Sequence, residues 1–420
     1  MPSARSKETM NKLSIADLKD LRGKRVLVRA DYNVPLDDKC AITDETRIKE
    51  TLPTIHFLTE RGAKVVLCSH LGRPDGKRVE SMSLKPVAAR LTELLKQPVG
   101  FANDCVGEEV NKKVAAMKPG DVLLLENTRY HAEEEENDPK FAEQMASIAD
   151  VYVNDAFGTA HRAHASTAGV CKFIKISAAG FLLQKELKYL GEELANPERP
   201  CLVILGGAKV SDKIGVITNL MGKTDAFIIG GAMAYTFLKA QGVAVGSSLV
   251  EEDKLGIAKE TLAKVHATGV KFLLPTDHVI AQKVETPVPG QKKPKIEFKN
   301  PQQSTDATIE VGYCGVDIGP KTIARYNEEI ARARTIVWNG PMGIFETPEY
   351  STGTFEVARA VAAATQAGAK SIIGGGDSVK AVKKAKVGDK VTFISTGGGA
   401  SLEFLEGREL PGVAALTDKA

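Results

Sequence analysis

Short, unbroken apolar runs recur along this chain. Each closes on small or polar residues and is followed by a stretch with helical spacing. The first half holds "RVLVRADYNVP", "KVVLCSHLGRP", "DVLLLENTRY" and "DVYVNDAFGTAHRAH". The second half holds "CLVILGGAK", "AFIIGGAMAY", "KFLLPTDHV", "TIVWNGPMG", "SIIGGGDSV" and "VTFISTGGGAS". A strand with one wet face alternates apolar and polar residues, and these runs do not. They predict strands buried on both faces, hence parallel α/β sheets covered by helices. Such sheets bind ligands just beyond the carboxyl ends of their strands. The residues that follow each run are therefore the candidates for chemistry.

Those strand tips differ between the halves. The first half's tips carry Arg29, Asp31, Asn33, His70, Arg73, Arg129, Asn154, Asp155, His161 and Arg162. Arginine and histidine clusters grip compact anions such as phosphate and carboxylate. The second half's tips are mostly glycine, at Gly206–Gly207, Gly230–Gly231, Gly340, Gly374–Gly376 and Gly397–Gly399. Glycine lets a ligand approach bare backbone N–H groups. The pattern predicts a small phosphorylated acid on the first half and a nucleotide on the second. The divide falls near "FLLQKELKYLGEELANPERP", where Leu183, Leu187 and Leu190 keep helical spacing before Pro197 and Pro200. A single helix joining two domains is expected there.

Lys209 and Lys213 stand four apart in "ILGGAKVSDKIG", right after a strand end. On an ordinary surface helix such a pair is a solvated face. After a glycine pair, and on the expected first turns of a helix, the two ammonium groups instead describe a seat for an anion.

Composition narrows the field without redirecting it. A chain of 420 residues exceeds what one core usually serves, so two domains are expected. It is 43% hydrophobic and 26% charged with formal net charge +3, an ordinary globular balance that favours neither nucleic acid nor membrane as partner. Cys40, Cys68, Cys105, Cys171, Cys201 and Cys314 are scattered without a C-x-x-C pair. They read as buried thiols of a reducing compartment, not as disulfides or zinc ligands. "MPSARSKETMNKL" lacks an apolar signal core, and "ALTDKA" is not a peroxisomal tag, so the cytoplasm is expected.

Several stretches invite other readings. "HRAH" at 161–164 has no cysteine or acid at ligand spacing, which argues against zinc. His131, His266 and His278 have no motif around them and read as surface or packing residues. "EEEEN" at 133–137 lacks the spaced carboxylates of a calcium loop and reads as a solvated turn. "PVPGQKKPKIEFKNPQQ" at 287–303 reads as an exposed excursion, and Trp338 as core. "GKT" at 222–224 follows Ile217 where a P-loop needs glycine, and no G-x-G-x-x-G follows a strand. A dinucleotide-dependent dehydrogenase is thereby disfavoured. "DAFG" and "HRAH" are not the D-F-G and H-R-D of protein kinases either.

Nine stretches, in order, resemble the phosphoglycerate kinase family over nearly the full length. They are "RADYNVP", "ITDETRI", "SHLGRP", "LLLENTRY", "VNDAFGTAHRAH", "LGGAKVSDKI", "IVWNGPMGIFE", "IIGGGDS" and "STGGGASLE". Two positions depart from the family pattern. Ala232 stands where a third glycine is common in "IIGGGMA", placing a methyl by the expected adenine pocket. Ser378 replaces threonine after "GGGD" and keeps its hydroxyl.

The resemblance implies an α/β fold of two Rossmann-like three-layer domains with parallel sheets, joined by a hinge helix. It implies residues 1–185 as the domain for 3-phosphoglycerate or 1,3-bisphosphoglycerate and 186–405 as the ATP/ADP domain. Residues 406–420 form a tail packing back on the first domain. The implied activity is reversible phosphoryl transfer dependent on Mg²⁺, by a monomer whose domains close. Asp31, Asn33, Arg47, His70, Arg73, Arg129 and Arg162 are expected to bind the acid, with Arg47 on the accepting carboxylate. Gly207, Gly231, Ala232, Gly374, Gly375, Gly376 and Ser378 are expected around the nucleotide. Asn339 is expected on its phosphates, Glu346 on its ribose and Asp377 on the metal. Lys209 should travel with the transferring group and Lys213 should hold the nucleotide phosphates. A non-catalytic, nucleotide-binding homologue would have lost Lys209, Arg47 or Asp377, and all three are present.

Overall fold

The computed structural model describes residues 11–288 and 294–419. The chain forms two compact units. One runs to Glu192 and takes in Gly399–Phe404 and Arg408–Ala420; the other holds Glu193–Gly398 and Leu405–Gly407.

The first unit is built on strands β1 (Arg25–Ala30), β2 (Lys64–Cys68), β3 (Val99–Phe101), β4 (Val122–Leu124), β5 (Val151–Asp155) and β6 (Ser177–Ala179). They form one sheet in the order β3-β4-β2-β1-β5-β6, every neighbouring pair parallel. Val26, Val28, Val65 and Leu67 pack with Ile48, Ile55 and Leu58 of the helix Thr46–Glu60 and with Val87 and Leu91 of the helix Lys85–Leu95. Leu27 and Val66, which alternate with them, are fully buried as well. Burial on both faces is why these runs carry no alternation.

The second unit repeats the plan with β7 (Cys201–Leu205), β8 (Ala226–Ile229), β9 (Lys271–Leu273), β10 (His278–Thr286), β11 (Lys295–Gln303), β12 (Cys314–Ile318), β13 (Thr335–Asn339), β14 (Lys370–Gly374) and β15 (Phe393–Ile394). Six of these make a parallel sheet in the order β15-β14-β13-β7-β8-β9. The chain runs outward from β7 through β8 and β9, then returns to β13 on the other side of β7. The tips of β7 and β13 thus flank a switch point, where open α/β sheets bind ligands. Trp338, expected as core, is fully buried, and its Nε1–H donates to the Gly340 carbonyl at 2.8 Å.

All ten apolar runs contain a parallel strand. The residues read as an excursion at 287–303 prove instead to belong largely to a second, antiparallel sheet, β11-β10-β12; positions 289–293 lie outside the described residues. β11 pairs only with β10, and such an edge tolerates its Lys295, Lys299 and Pro301.

The connecting segment is not one helix. A helix Phe181–Leu187 passes into a π-helical turn, Lys188–Glu192, and then a short helix, Glu193–Ala195. Its start is fixed by Asp155, at the end of β5. The Oδ1 of Asp155 accepts from the amides of Leu182 at 2.9 Å and Leu183 at 3.3 Å. Burial pushes this carboxyl up to about 7, against the opposing pull of Thr54 and the two amides. The C-terminal residues lie in the first unit. Leu13 N–H donates to the Thr417 carbonyl at 2.7 Å, Thr417 N–H to Ser177 at 2.9 Å, and Asn154 Nδ2 to Gly412 at 2.9 Å. All six cysteines are free; Cys40, in a turn, and Cys171, in a short 3₁₀ segment, are only half-buried, against the expectation of buried thiols.

A Cβ at Gly180 would come within 2.2 Å of Asp155 Oδ1, so glycine is what lets the carboxylate reach the helix start. Gly180→Ala should destabilise the protein by about 1–3 kcal/mol in denaturant unfolding. Gly222→Ala, which would meet nothing within 4 Å, serves as the control and should change little.

Candidate active site

In the first unit, β1 delivers Arg29, Asp31 and Asn33 to one end of the sheet, and β2 delivers His70. Arg47, on the first turn of the helix Thr46–Glu60, donates through Nη1 to Asp31 at 2.9 Å and to the Asn33 carbonyl at 3.2 Å. Asn33 Oδ1 accepts from Gly72 N–H at 2.9 Å, and Arg129 Nη1 donates to the Gly72 carbonyl at 2.9 Å. Arg129 is buried and also meets Glu135 at 3.1 Å. Its Nε has no hydrogen-bond partner. Arg162 donates to His161 Nε2 at 3.2 Å. Arg73 is exposed, pairs with no described residue, and directly follows Gly72.

His70 sits among these cations. Burial, then Arg29, Arg129, Arg47 and Arg162, hold its imidazole well below its ordinary range. Arg29 Nη2 lies 3.2 Å from His70 Nδ1. A guanidinium can only donate, so Nδ1 accepts and the proton of the neutral ring sits on Nε2. The ring is thereby fixed as a hydrogen-bond donor. Arg129 is itself pulled below the usual arginine range, first by burial, with Arg162 and Arg29 adding repulsion. A buried cluster of this kind fits a multiply charged anion.

Arg29 was the member missing from the residues assigned to the acid. It is 1% exposed inside an apolar run, and a charged residue in such a run is the signal that marks it. Its Nε donates to Ser166 Oγ at 2.7 Å, and that hydroxyl donates to Glu134 Oε1 at 2.5 Å. Glu134 also accepts from Ser166 N–H at 2.9 Å. The acidic run at 133–137 is therefore not a solvated turn. All but its last residue belong to the helix Ala132–Glu136, and Glu134 is fully buried. Charge density alone hid this, because only one of the acids turns inward. His164 lies 4.0 Å from Glu134 but is held down to about 4 by burial and by Arg129, so the contact is not an ion pair at neutral pH.

In the second unit the glycines divide into two kinds. A Cβ on Gly206 would lie 2.0 Å from the Pro341 carbonyl, and one on Gly340 2.2 Å from Gly206 O. One on Gly231 would come within 2.5 Å of Gly207 N. These three let the strand-tip loops pack backbone against backbone. Gly207, Gly376 and Gly398 face open space and are the ones a ligand can approach. Gly374 is buried as the last residue of β14, in register with Asn339. Gly375, at φ +82°, faces the Asn339 amide. Ser378 is buried, and its Oγ accepts from Gly340 N–H at 2.6 Å, so its hydroxyl fastens two tips together. Ala232 precedes the helix Met233–Ala240, whose first amide donates to the Gly207 carbonyl at 3.0 Å.

The two lysines are not both on a helix. The helix begins at Ile214; Lys213 is its cap, and Lys209 lies in the preceding loop, exposed and unpaired with any described residue. Gly206 and Gly207 fold back toward Asn339 and Pro341, which delays the first helical turn. Lys213 is 8% exposed and donates to Asn339 Oδ1, while Asn339 Nδ2 is buried without a partner. An ammonium and an amide donor side by side suit phosphate oxygens. Glu346 is exposed. Asp377 opens the helix Gly376–Lys384, half-exposed and 3.1 Å from Lys380. Its hard carboxylate oxygen, beside the open backbone of Gly376, fits Mg²⁺.

A buried cluster of guanidinium groups over one parallel sheet, and open glycine tips with a buried lysine over another, define an α/β phosphotransferase of two units. A sequence profile described as phosphoglycerate kinase matches residues 15–408. The phosphoglycerate kinase of Koribacter versatilis is 57% identical over 417 residues, covering 98% of this chain and 100% of that protein. That of Clostridium novyi is 55% identical over 412 residues, covering 98% and 100%. Among solved structures, phosphoglycerate kinase from Coxiella burnetii superposes with TM-score 0.83 at 42% identity, covering 96% of this chain and 98% of that one. The Pyrococcus horikoshii enzyme gives 0.79 at 33%, with the same coverage. The chain belongs to the phosphoglycerate kinase family.

Burial lowers Lys213 from its ordinary 10.5 to about 8, against the pull of Asp212, Glu406 and Asp377. Between those values the unfolded lysine keeps a proton that the folded one has shed, so this group's contribution to stability rises with pH. Affinity for an anion should move the other way. Tripolyphosphate binding, measured by calorimetry in the absence of metal, should weaken as pH rises through about 8. Lys213→Met should bind more weakly and lose that step.

Proposed function

We propose that the first unit's cations hold 3-phosphoglycerate and that the second unit's tips hold ATP or ADP. The observation that carries this reading is the neutral His70 among four guanidinium groups, its Nδ1 accepting from Arg29 and its Nε2–H left to donate, which suits a compact anion. The reaction is that of the family: Mg²⁺-dependent, reversible transfer of a phosphoryl group between ATP and the carboxylate of 3-phosphoglycerate, giving 1,3-bisphosphoglycerate and ADP, in glycolysis.

In the direction of ATP use, a carboxylate oxygen of the acid attacks the γ-phosphorus, and the bond to the β-phosphate oxygen breaks. No proton need move. The protein's task is alignment, charge neutralisation and exclusion of water. Arg129, Arg162, Arg73 and His70 anchor the acid's phosphate, and Asp31 and Asn33 orient its hydroxyl region. Arg47, with Nη1 committed to Asp31, turns its remaining N–H groups to the accepting carboxylate. Lys213 and Asn339 hold the nucleotide phosphates, and exposed Lys209 accompanies the group in flight. Asp377 would hold Mg²⁺, which when bound would supply neutralisation of phosphate charge. Gly207, Gly375 and Gly376 supply backbone around the nucleotide, Ala232 bounds the base, and Glu346 meets the ribose. Gly231, Gly374 and Ser378 shape the tips that do so. We infer that the π-helical turn Lys188–Glu192 serves as the hinge through which the two bound substrates meet.

Among the described residues no helix is long and apolar enough to cross a membrane. We infer a cytoplasmic location, supported by six free thiols.

An assay supplying ATP and 3-phosphoglycerate, with and without Mg²⁺, tests the activity by acyl-phosphate formation. Lys209→Ala should lower kcat on the order of 10²–10³-fold while ATP affinity changes little. An unchanged kcat would return Lys209 to a solvated surface. Asp377→Asn should raise the Mg²⁺ requirement and leave 3-phosphoglycerate binding nearly intact. Superimposable Mg²⁺ titrations for variant and parent would place the metal on another residue.

A further inference from the structure

We propose that Asp104, Cys105 and His131 form a binding site for a thiophilic divalent cation of the Zn²⁺ class, distinct from the Mg²⁺ ligand Asp377. Neither Cys105 nor His131 lies in any of the motifs that carry the reaction, and the sequence alone reads them as a buried thiol and a surface or packing residue. The fold brings them together. β3 and β4 are paired neighbours, with Phe101 opposite Leu124, so the segments that follow them leave the sheet at the same end. Asp104 and Cys105 lie on the first segment; His131 closes the 3₁₀ turn Thr128–Tyr130 on the second.

Among the described residues this is the group of three whose ligand atoms all lie within 4.8 Å of one another. His131 Nε2 is 2.7 Å from Asp104 Oδ1. The groups are held both by a hydrogen bond within the cluster and by contacts of His131 outside it. The Cys105 amide donates to Asp104 Oδ1 at 2.6 Å, and the His131 amide donates to the Thr128 carbonyl at 3.2 Å. The His131 ring packs on Phe141 with centroids 5.2 Å apart. Cys105 is fully buried, whereas the Asp104 and His131 side chains are 45% and 29% exposed. A cation entering from solvent meets oxygen and nitrogen first and sulfur at the base.

The donor set decides the class of ion. One sulfur, one imidazole nitrogen and one carboxylate oxygen suit Zn²⁺, Co²⁺ or Cd²⁺, whereas Mg²⁺ takes oxygen alone. Tetrahedral bonds of about 2.0–2.3 Å place ligand atoms about 3.3–3.8 Å apart. The His131–Asp104 pair therefore opens slightly as the sulfur draws in. Cys105 releases its thiol proton to solvent, His131 binds through a neutral ring, and a water takes the fourth position. The site lies two residues from Arg129, whose partner Glu135 is on the same segment. Occupancy therefore ties the loop of Asp104 to the segment that carries an anion-binding arginine.

Titrating the reduced, metal-stripped full chain with Co²⁺, in millimolar Mg²⁺, tests the site. One equivalent should bind with a thiolate-to-cobalt charge-transfer band, and Zn²⁺ should displace it. Cys105→Ser should abolish the band, His131→Gln should weaken Co²⁺ binding more than about tenfold, and Cys40→Ser with Cys171→Ser should change neither. No band in the parent protein, a band persisting in Cys105→Ser, or unchanged affinity in His131→Gln overturns the proposal. Should circular dichroism show Cys105→Ser unfolded, His131→Gln and Asp104→Asn decide on affinity alone. Loss of affinity in both supports the site, and retention in either overturns it.

Discussion

Buried positive charge is the constraint around which the first unit is arranged. Arg29 and Arg129 are 1% and 3% exposed, and a desolvated guanidinium is tolerable only with partners for its donors. The surrounding fold answers each one differently. Glu134 serves Arg29 through the Ser166 hydroxyl, Glu135 serves Arg129 directly, and Asp31 serves Arg47. The compensation is incomplete by design of position: Arg129 Nε remains unpartnered, and the net field keeps His70 neutral. An anion with several negative oxygens is the chemistry that completes such a cluster. Electrostatics, not shape, defines this cluster.

The second unit's strand tips offer an anion mainly backbone. Its side-chain donors are few: buried Lys213 and the orphaned amide of Asn339 at the end of β13. Glycine matters there for two separable reasons. Gly206, Gly231 and Gly340 allow the tips of β7, β8 and β13 to touch main chain to main chain, and any side chain would force them apart. Gly207 and Gly376 stand clear and leave main chain accessible to a ligand. Treating every glycine as a ligand contact merges a scaffold with the surface it presents.

What the sequence made legible follows from burial. Strands covered on both faces must be apolar throughout, so ten of the twelve parallel strands stood out as uninterrupted runs. β3 and β6, reading "VGF" and "SAA", are three residues each and too short or too small to stand out. The antiparallel sheet stayed hidden because its edge strand, with lysines and a proline, looks like a loop when its pairing is unseen. The cationic tips were legible because strand ends and residue types coincide. Glu134 was not, because helical phase decides which acid of a run faces inward, and five residues are too few to show that phase. The Lys209–Lys213 spacing suggested one helix face, yet the loop that packs Gly207 against Pro341 delays the helix until Ile214.

Asp155 shows how such local constraints reach the connection between units. Its carboxyl caps the first amides of the helix Phe181–Leu187 from the end of β5, in a space that only Gly180 leaves free. Capping from a strand fixes the helix start to the rigid sheet. Beyond Leu187 the hydrogen-bonding pattern changes to a π-helical turn, and the units part right after it. A helix pinned at one end and loosened at the other has its softest point where the ladder changes register. The case for a hinge there rests not on a flexible sequence, which "KYLGE" is not especially, but on the contrast between a capped start and a shifted ladder.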